Sequence, residues 1–324
     1  MKRLLLAALA AVMILGLASC EAKTETQSYA MDTFLTQELY GEGGSKASGL
    51  NKETVLDIEN SVSSYIPGSE IYRLNSDGSG TLSGTAEDLF GYSLDAMNDT
   101  GCAFNPFLGS IINLWDIGGG NTTVPDDNDI KEALVFTDPD IVEYTGGRIV
   151  LNGALIDLGG IAKGYALDRM AENCALCGVE SGLIDFGGSI AAIGEKPGGG
   201  KWSVGIKDPN DDGDIIAKVN ISNAFVSTSG IYERYFVSGG KTYHHIFDPA
   251  TGYPADNGLT GVSVVSESGI LTDCMSTALF VMGPEKGPEY AERKGIAAVF
   301  ITSDGEVNAT SAMKGYGFER LGQK

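Results

Sequence analysis

From about residue 182 to the C-terminus, short apolar runs alternate with glycine turns, and only one long helical pattern interrupts them. Strands are expected over 182–194, 202–206, 216–222, 224–230 and 260–268. Hairpins turning at Gly239-Gly240 and Asp304-Gly305 complete the set, because paired glycines and Asp-Gly supply the positive φ that tight turns need. Chains built this way form antiparallel sheets, with helices packed on them as separate elements. The doubly wound alternation of strand and helix is absent, so the fold class is α+β.

The first half supplies most of the helices. A first strand is expected around 31–40, and a weakly amphipathic helix over 50–61. A turn and short helix follow within SSYIPGSEIYRLN, then a well-marked helix over 85–100 opened by Thr85. Residues 104–120 form an apolar segment ended by glycines, and 121–147 are acidic and loop-rich, with a short helical stretch at 129–133. IVLNGALIDLGG reads as a hairpin leading into a helix over 161–177, and 271–282 as an apolar helix.

Lys2 and Arg3 precede an apolar run from position 4 to 17, which ends in Leu17-Ala18-Ser19-Cys20. This is the layout of a bacterial lipoprotein signal, with Cys20 lipidated as the mature N-terminus. The expected organisation is a signal peptide over 1–19, Cys20 and a polar tether over 20–30, and a single compact unit over 31–324. The expected location is the membrane, anchored by lipid and facing the periplasm or cell exterior. The formal charge of −21 becomes −23 without Lys2 and Arg3, which disfavours nucleic acid or an anionic membrane as an electrostatic partner. Cys174 and Cys177 share a helical stripe with Ala162, Ala166 and Met170, which fits core packing better than a redox pair. His244 and His245 are the only histidines, so any metal is expected to be oxygen-bound, as Mg²⁺ or Ca²⁺ are.

Three stretches carry chemistry. In IDLGGIAKGYALDR, Gly159 and Gly160 let backbone approach a ligand, and the following helix offers free N–H groups to an anion. Lys163 in the first turn opposes the helix dipole, which makes sense beside a bound anion; a tight turn with a solvated lysine is the alternative. Asp273 and Thr277 stand four apart on one helix face, as hard ligands for Mg²⁺ or as ordinary capping residues. His245, three residues before Asp248-Pro249, is a proton shuttle or a structural histidine.

Taken together, these stretches resemble the ApbE-type FAD:protein FMN transferases. The family's motifs stand here at 157–168, 245–252 and 273–277, in that order, and SSYIPGSEIYRLN, NPFLGSIINLW and VSTSGIYERYF match further segments. The resemblance implies an ApbE-like, T-fold-like arrangement of mixed sheets with packed helices. It implies FAD as substrate, Mg²⁺ as cofactor, and an exported or membrane flavoprotein with a Thr or Ser site as acceptor. Lys163 and Asp157 would contact the FAD, while the Gly160 carbonyl, Asp273 and Thr277 would surround the metal. Met31, Tyr65, Ala103, Phe104, Asn105 and Phe247 would line the nucleotide and flavin, and His245 would accept the proton of the attacking hydroxyl. Asp32, Asn105 and Ser189 depart from the usual residues. An FAD pyrophosphatase fits the same motifs. A solute-binding lipoprotein would need two α/β lobes, which the hairpins do not supply.

Overall fold

The computed structural model describes residues 22–209 and 214–322. In chain order these form β1 (Lys23–Ala30), β2 (Thr33–Tyr40), α1 (Gly44–Val62), α2 (Glu70–Asp77), β3 (Ser79–Thr81), α3 (Gly84–Thr100), α4 (Gly109–Trp115) and α5 (Asp127–Leu134). Then come β4 (Glu143–Thr145), β5 (Arg148–Val150), α6 (Ala162–Leu176), β6 (Ser181–Phe186), β7 (Ser189–Ile193), β8 (Trp202–Lys207), β9 (Ile215–Ile221) and β10 (Ala224–Gly230). The chain closes with β11 (Tyr235–Ser238), β12 (Lys241–His244), β13 (Leu259–Ser266), α7 (Gly269–Lys294), β14 (Ala297–Thr302), β15 (Val307–Ala309) and β16 (Glu319–Arg320).

The central sheet is antiparallel, in the order β1-β2-β6-β7-β10-β13-β14-β15. Helices α1, α6 and α7 cover one face. The three-stranded sheet β16-β9-β8 covers part of the other, where Val204, Ile206 and Val219 meet Val226, Val265 and Val299. Burial from both sides leaves seven of the eight β13 residues buried, Thr260 and Ser263 among them. β2 alternates instead, because its outer face meets solvent: Leu35, Gln37 and Leu39 point inward, and Phe34 and Thr36 outward.

The structure corrects several expectations. Residues 23–30 are not a tether but the edge strand β1, paired with β2 at all eight positions. Its mostly polar residues gave no hydrophobic signal, since an edge strand on a half-covered sheet buries little. The run at 182–194 is two strands, β6 and β7, turning at Gly187-Gly188, whose φ values of 62° and 85° fit a tight hairpin. β5 pairs with β4 and β3, so the hairpin lies upstream of 151–161, and that stretch is an irregular linker. α7 runs past the expected end at Met282 because a kink at Gly283 (φ 83°) lets the helix restart at Pro284. Proline in a first helical turn needs no N–H partner.

Candidate active site

The centre of the site is the crossing of the first turns of α6 and α7. The crossing is close because it is built on glycine: a Cβ on Gly164 would stand 2.3 Å from the Gly269 carbonyl oxygen, and one on Gly269 2.5 Å from that of Gly164. Each helix caps the other. Asp168 of α6 accepts the Gly269 and Ile270 amides of α7 at 2.6 and 2.9 Å. Asp273 of α7 accepts the Gly164 amide at 2.8 Å, and the Lys163 amide also stabilises its charge. Carboxylates at helix N-termini satisfy orphan N–H groups and oppose the positive end of the dipole.

This arrangement changes the expected anion site. The first-turn amides of α6 at Lys163 and Gly164 face Asp273 instead of lying free for a phosphate. The glycine pair before the helix has no positive φ. Gly160 is small because a Cβ there would meet Phe104 at 3.1 Å, and the same Cβ would stand 3.8 Å from Thr277 Oγ1. The cationic group left for an anion at this turn is the half-buried Lys163 side chain.

Asp273 is buried, and desolvation raises its pKa, countered first by Lys163. Among the described residues it forms no ion pair within 4.0 Å. A buried carboxylate of this kind, beside the Thr277 hydroxyl and the backbone of Gly160, fits a hard divalent cation. Among the described residues no three His, Cys, Asp or Glu side chains gather as a metal cluster. Other ligands would therefore be hydroxyl, carbonyl, water or substrate oxygens. Ser229, at the end of β10, lies 3.1 Å from Thr277 Oγ1 and 2.8 Å from Ser276 Oγ, which fixes that helix face.

The β11–β12 hairpin brings in the histidine. The His245 amide donates to the Arg234 carbonyl at 3.2 Å, and Nδ1 lies 3.3 Å from the same oxygen. With the Nδ1 proton directed at that carbonyl, Nε2 is left as acceptor. Burial pushes the imidazole down to about 3, with the charges of His244, Arg234 and Lys163 adding to the effect and the Arg234 carbonyl opposing it. His244 faces the opposite way, as strand alternation requires. It is buried edge-on to Phe280, bonds Ala255 O at 3.2 Å and accepts the Ile246 amide, and burial lowers it to about 4. The D-P-x-T-G loop that follows is architectural. Asp248 accepts the Ala250 and Gly252 amides through side chain and backbone, and Gly252 O accepts the Trp115 indole at 2.9 Å.

The remaining expected residues rim this centre. Asp157 accepts Ser64 Oγ and the Gly159 amide, both at 2.9 Å, tying the 63–66 turn to the glycine turn. Tyr65 is 61% exposed, yet its hydroxyl is pushed up to about 12 by burial and by Asp157 and Asp116, so it stands over acidic neighbours. Met31 and Asp32 form the β1–β2 turn at φ 48° and 58°, and the Met31 amide is anchored by Glu59 at 2.9 Å. Ala103 is half-buried and Phe104 buried against Gly160. The Asn105 amide is occupied structurally, with Oδ1 on the Phe107 N–H and Nδ2 on Thr137 O. Phe247 is buried in the aromatic cluster of Trp115. Cys20 lies outside the described residues.

Residue-by-residue reasoning missed Asp168, Glu233 and Arg234. Glu233 is solvent-accessible but crowded, and burial raises its carboxyl against the pull of Lys163. Arg234 positions His245 through its carbonyl and reaches Asp32 at 4.0 Å. The signal was the polar run ending VSTSGIYERYF, charged where a strand connection needs no charge. A separate cavity of about 300 Å³ between α3 and the β3-β5-β4 sheet is lined by none of these residues.

Comparison with known proteins accords with this geometry. The ApbE family model matches residues 31–300. An FAD:protein FMN transferase of Klebsiella pneumoniae is 38% identical over 65% of this chain and 67% of its own length. One from Treponema pallidum is 37% identical over 66% of this chain and 64% of its own, and one from Haemophilus influenzae 28% identical over 96% and 97%. The crystal structure of the Thermotoga maritima ApbE protein superposes with a TM-score of 0.84 at 31% identity, covering 91% of this chain and 99% of that one. A model match over most of the chain, a near full-length relative and a shared fold lead to one conclusion: the chain belongs to the ApbE family and is a flavin transferase.

Proposed function

We propose that this enzyme moves the FMN half of FAD onto a Ser or Thr hydroxyl of an acceptor protein, forming a phosphoester and releasing AMP, with Mg²⁺ required. The observation that carries the reading is convergence. Lys163, Asp273 with Thr277, and His245 come from three distant stretches, and Lys163 acts electrostatically on both Asp273 and His245.

The FAD diphosphate would lie across the Gly159-Gly160 turn beside Lys163. The acceptor Oγ attacks the phosphorus of the FMN half; the Oγ–P bond forms as the P–O bond to the AMP phosphate breaks. The hydroxyl proton passes to Nε2 of His245, and AMP leaves with the electron pair. At neutral pH His245 is unprotonated, and a nearby diphosphate raises its proton affinity when the proton must be taken. A Mg²⁺ held by Asp273, Thr277 and the Gly160 carbonyl would neutralise charge on the diphosphate, the usual electrostatic strategy of phosphoryl transfer. Tyr65 and Met31 would contact the bound nucleotide from the rim.

The signal layout ending at Cys20 supports a lipid anchor at the outer face of the membrane, and hence an exported or membrane-bound acceptor. Among the described residues no helix is long and apolar enough to cross a membrane.

The test is incubation with FAD, Mg²⁺ and a candidate acceptor, followed by intact mass of the acceptor and quantification of AMP. One FMN gained per AMP released, abolished by EDTA, is the expected result. FMN and AMP in solution without an adduct would mean that water replaces the hydroxyl. Intact FAD throughout would refute the reading.

A further inference from the structure

The central sheet ends in two unlike edges. β15 is three residues long and runs at once into the 3₁₀ segment Ser311–Tyr316, whose Met313 is buried in the second core. β1 is eight residues long, and among the described residues no strand pairs with its outer side. Long edges are usually blunted by proline, bulges or central charges. β1 has no proline and an unbroken register, and its charges, Lys23 and Glu25, lie at the start. The end nearest the site is Thr26, Gln27, Ser28 and Tyr29.

At that end two large aromatics stay out of the core. Tyr29 and Phe34 are directly opposite across the hairpin, edge to face with centroids 5.5 Å apart, and are 61% and 58% exposed. The three-stranded sheet on this face reaches the hairpin at its other end, where Trp202 lies 6.4 Å from Tyr40. The strip is continuous with the site. The Met31-Asp32 turn follows directly, Asp32 faces Arg234, and the Arg234 carbonyl holds His245. Phe34 O also accepts the amide of Gly187, whose turn neighbour Gly188 lies beside Glu233.

We propose that β1 and the Tyr29–Phe34 pair form the docking strip for the acceptor protein. Its hydroxyl-bearing segment would add to the edge as an extended strand and enter the cleft past the Met31-Asp32 turn. The proposal rests on the flavin-transfer reading, because only a protein substrate needs such a strip. Main-chain pairing along β1 would give affinity, and an apolar side chain on the aromatic pair specificity. Exposed Asp32 and Asp185 beside the strip, on a chain of net charge −21, select a neutral or basic segment.

The test compares wild type with Tyr29→Ala/Phe34→Ala, using an acceptor protein that wild type labels with FMN and varying FAD and acceptor in turn. Both side chains are exposed, so the thermal midpoint should not move. The acceptor KM should rise about tenfold or more, as for loss of an aromatic hot spot, while the KM for FAD stays at the wild-type value. An unchanged acceptor KM overturns the proposal. So does a raised KM for FAD, which would assign the pair to FAD binding. A dimer that becomes monomeric in the variant with unchanged KM would assign the strip to a second copy of the chain.

Discussion

The α6–α7 crossing and the β1–β2 corner lie on two sides of one site and are built on opposite principles. At the crossing the carboxylates have structural duties: Asp168 and Asp273 hold the amides of each other's helices, and glycine backbones touch. At the corner Tyr29, Phe34 and Asp32 are held by little and face solvent. Rigid positioning suits groups that must meet a diphosphate within tenths of an ångström. An open edge suits a macromolecule that must arrive and leave. Substitutions that force the crossing apart should therefore couple stability to chemistry, and substitutions of side chains that face the ligand should separate them.

The largest separation is expected at His245. His245→Ala should keep its thermal midpoint and FAD affinity but lose flavin transfer by about 10²–10⁴-fold, the usual contribution of a general base. His244→Ala should do the reverse, lowering stability by about 1–3 kcal/mol through the unpaired Ile246 amide and Ala255 carbonyl. The sign of its pH dependence follows from the lowered pKa. The unfolded histidine binds a proton near pH 6.5 and the folded one only near 4, so stability is full above about 6.5 and drains as pH falls toward 4. His244→Ala should make that acid limb shallower. Normal transfer by a folded His245→Ala protein would leave nucleophile activation to other groups.

A smaller effect tests the crossing itself. Gly164→Ala drives a methyl into the Gly269 carbonyl at 2.3 Å and should cost about 1–3 kcal/mol by overpacking. Because the helices must separate, AMP release per folded molecule should fall as well. A thermal midpoint equal to that of wild type would mean that the crossing yields more easily than its geometry suggests.

How much of this could be read in the sequence depended on whether a residue's partner was near in the chain. Hairpins at Gly239-Gly240 and Asp304-Gly305 and the helix bearing Lys163 were legible, because turn chemistry and periodicity are local. Thr277 and Asp273 were legible as a pair on one helix face, and Asp273 as a candidate ligand. Its second duty was not, since the amide it caps is 109 positions away. Asp168 was passed over for the same reason, acting 101 residues downstream. β1 was misread because a polar edge strand has no hydrophobic period, and α7 because proline after glycine looks like a stop. Gly159 and Gly160 were correctly placed in a turn, but the reason for Gly160 is the Phe104 ring, which only the fold reveals.

On the proposed mechanism Asp273 serves both the fold and the reaction, whereas Asp168 serves the fold alone. The direct measurement is thermal midpoint and Mg²⁺-dependent AMP release from FAD, taken side by side on Asp273→Asn and Asp168→Asn. Asn keeps one acceptor oxygen for an amide but loses the charge that a hard cation needs. Asp273→Asn, left with one oxygen for the first-turn amides of α6, should melt somewhat lower and release no AMP at any Mg²⁺ concentration. Asp168→Asn, which must hold two amides with one oxygen, should melt lower yet release AMP at the wild-type rate per folded molecule. If both variants instead lose AMP release only in proportion to the fraction unfolded, Asp273 is a cap and nothing more, and it holds no metal.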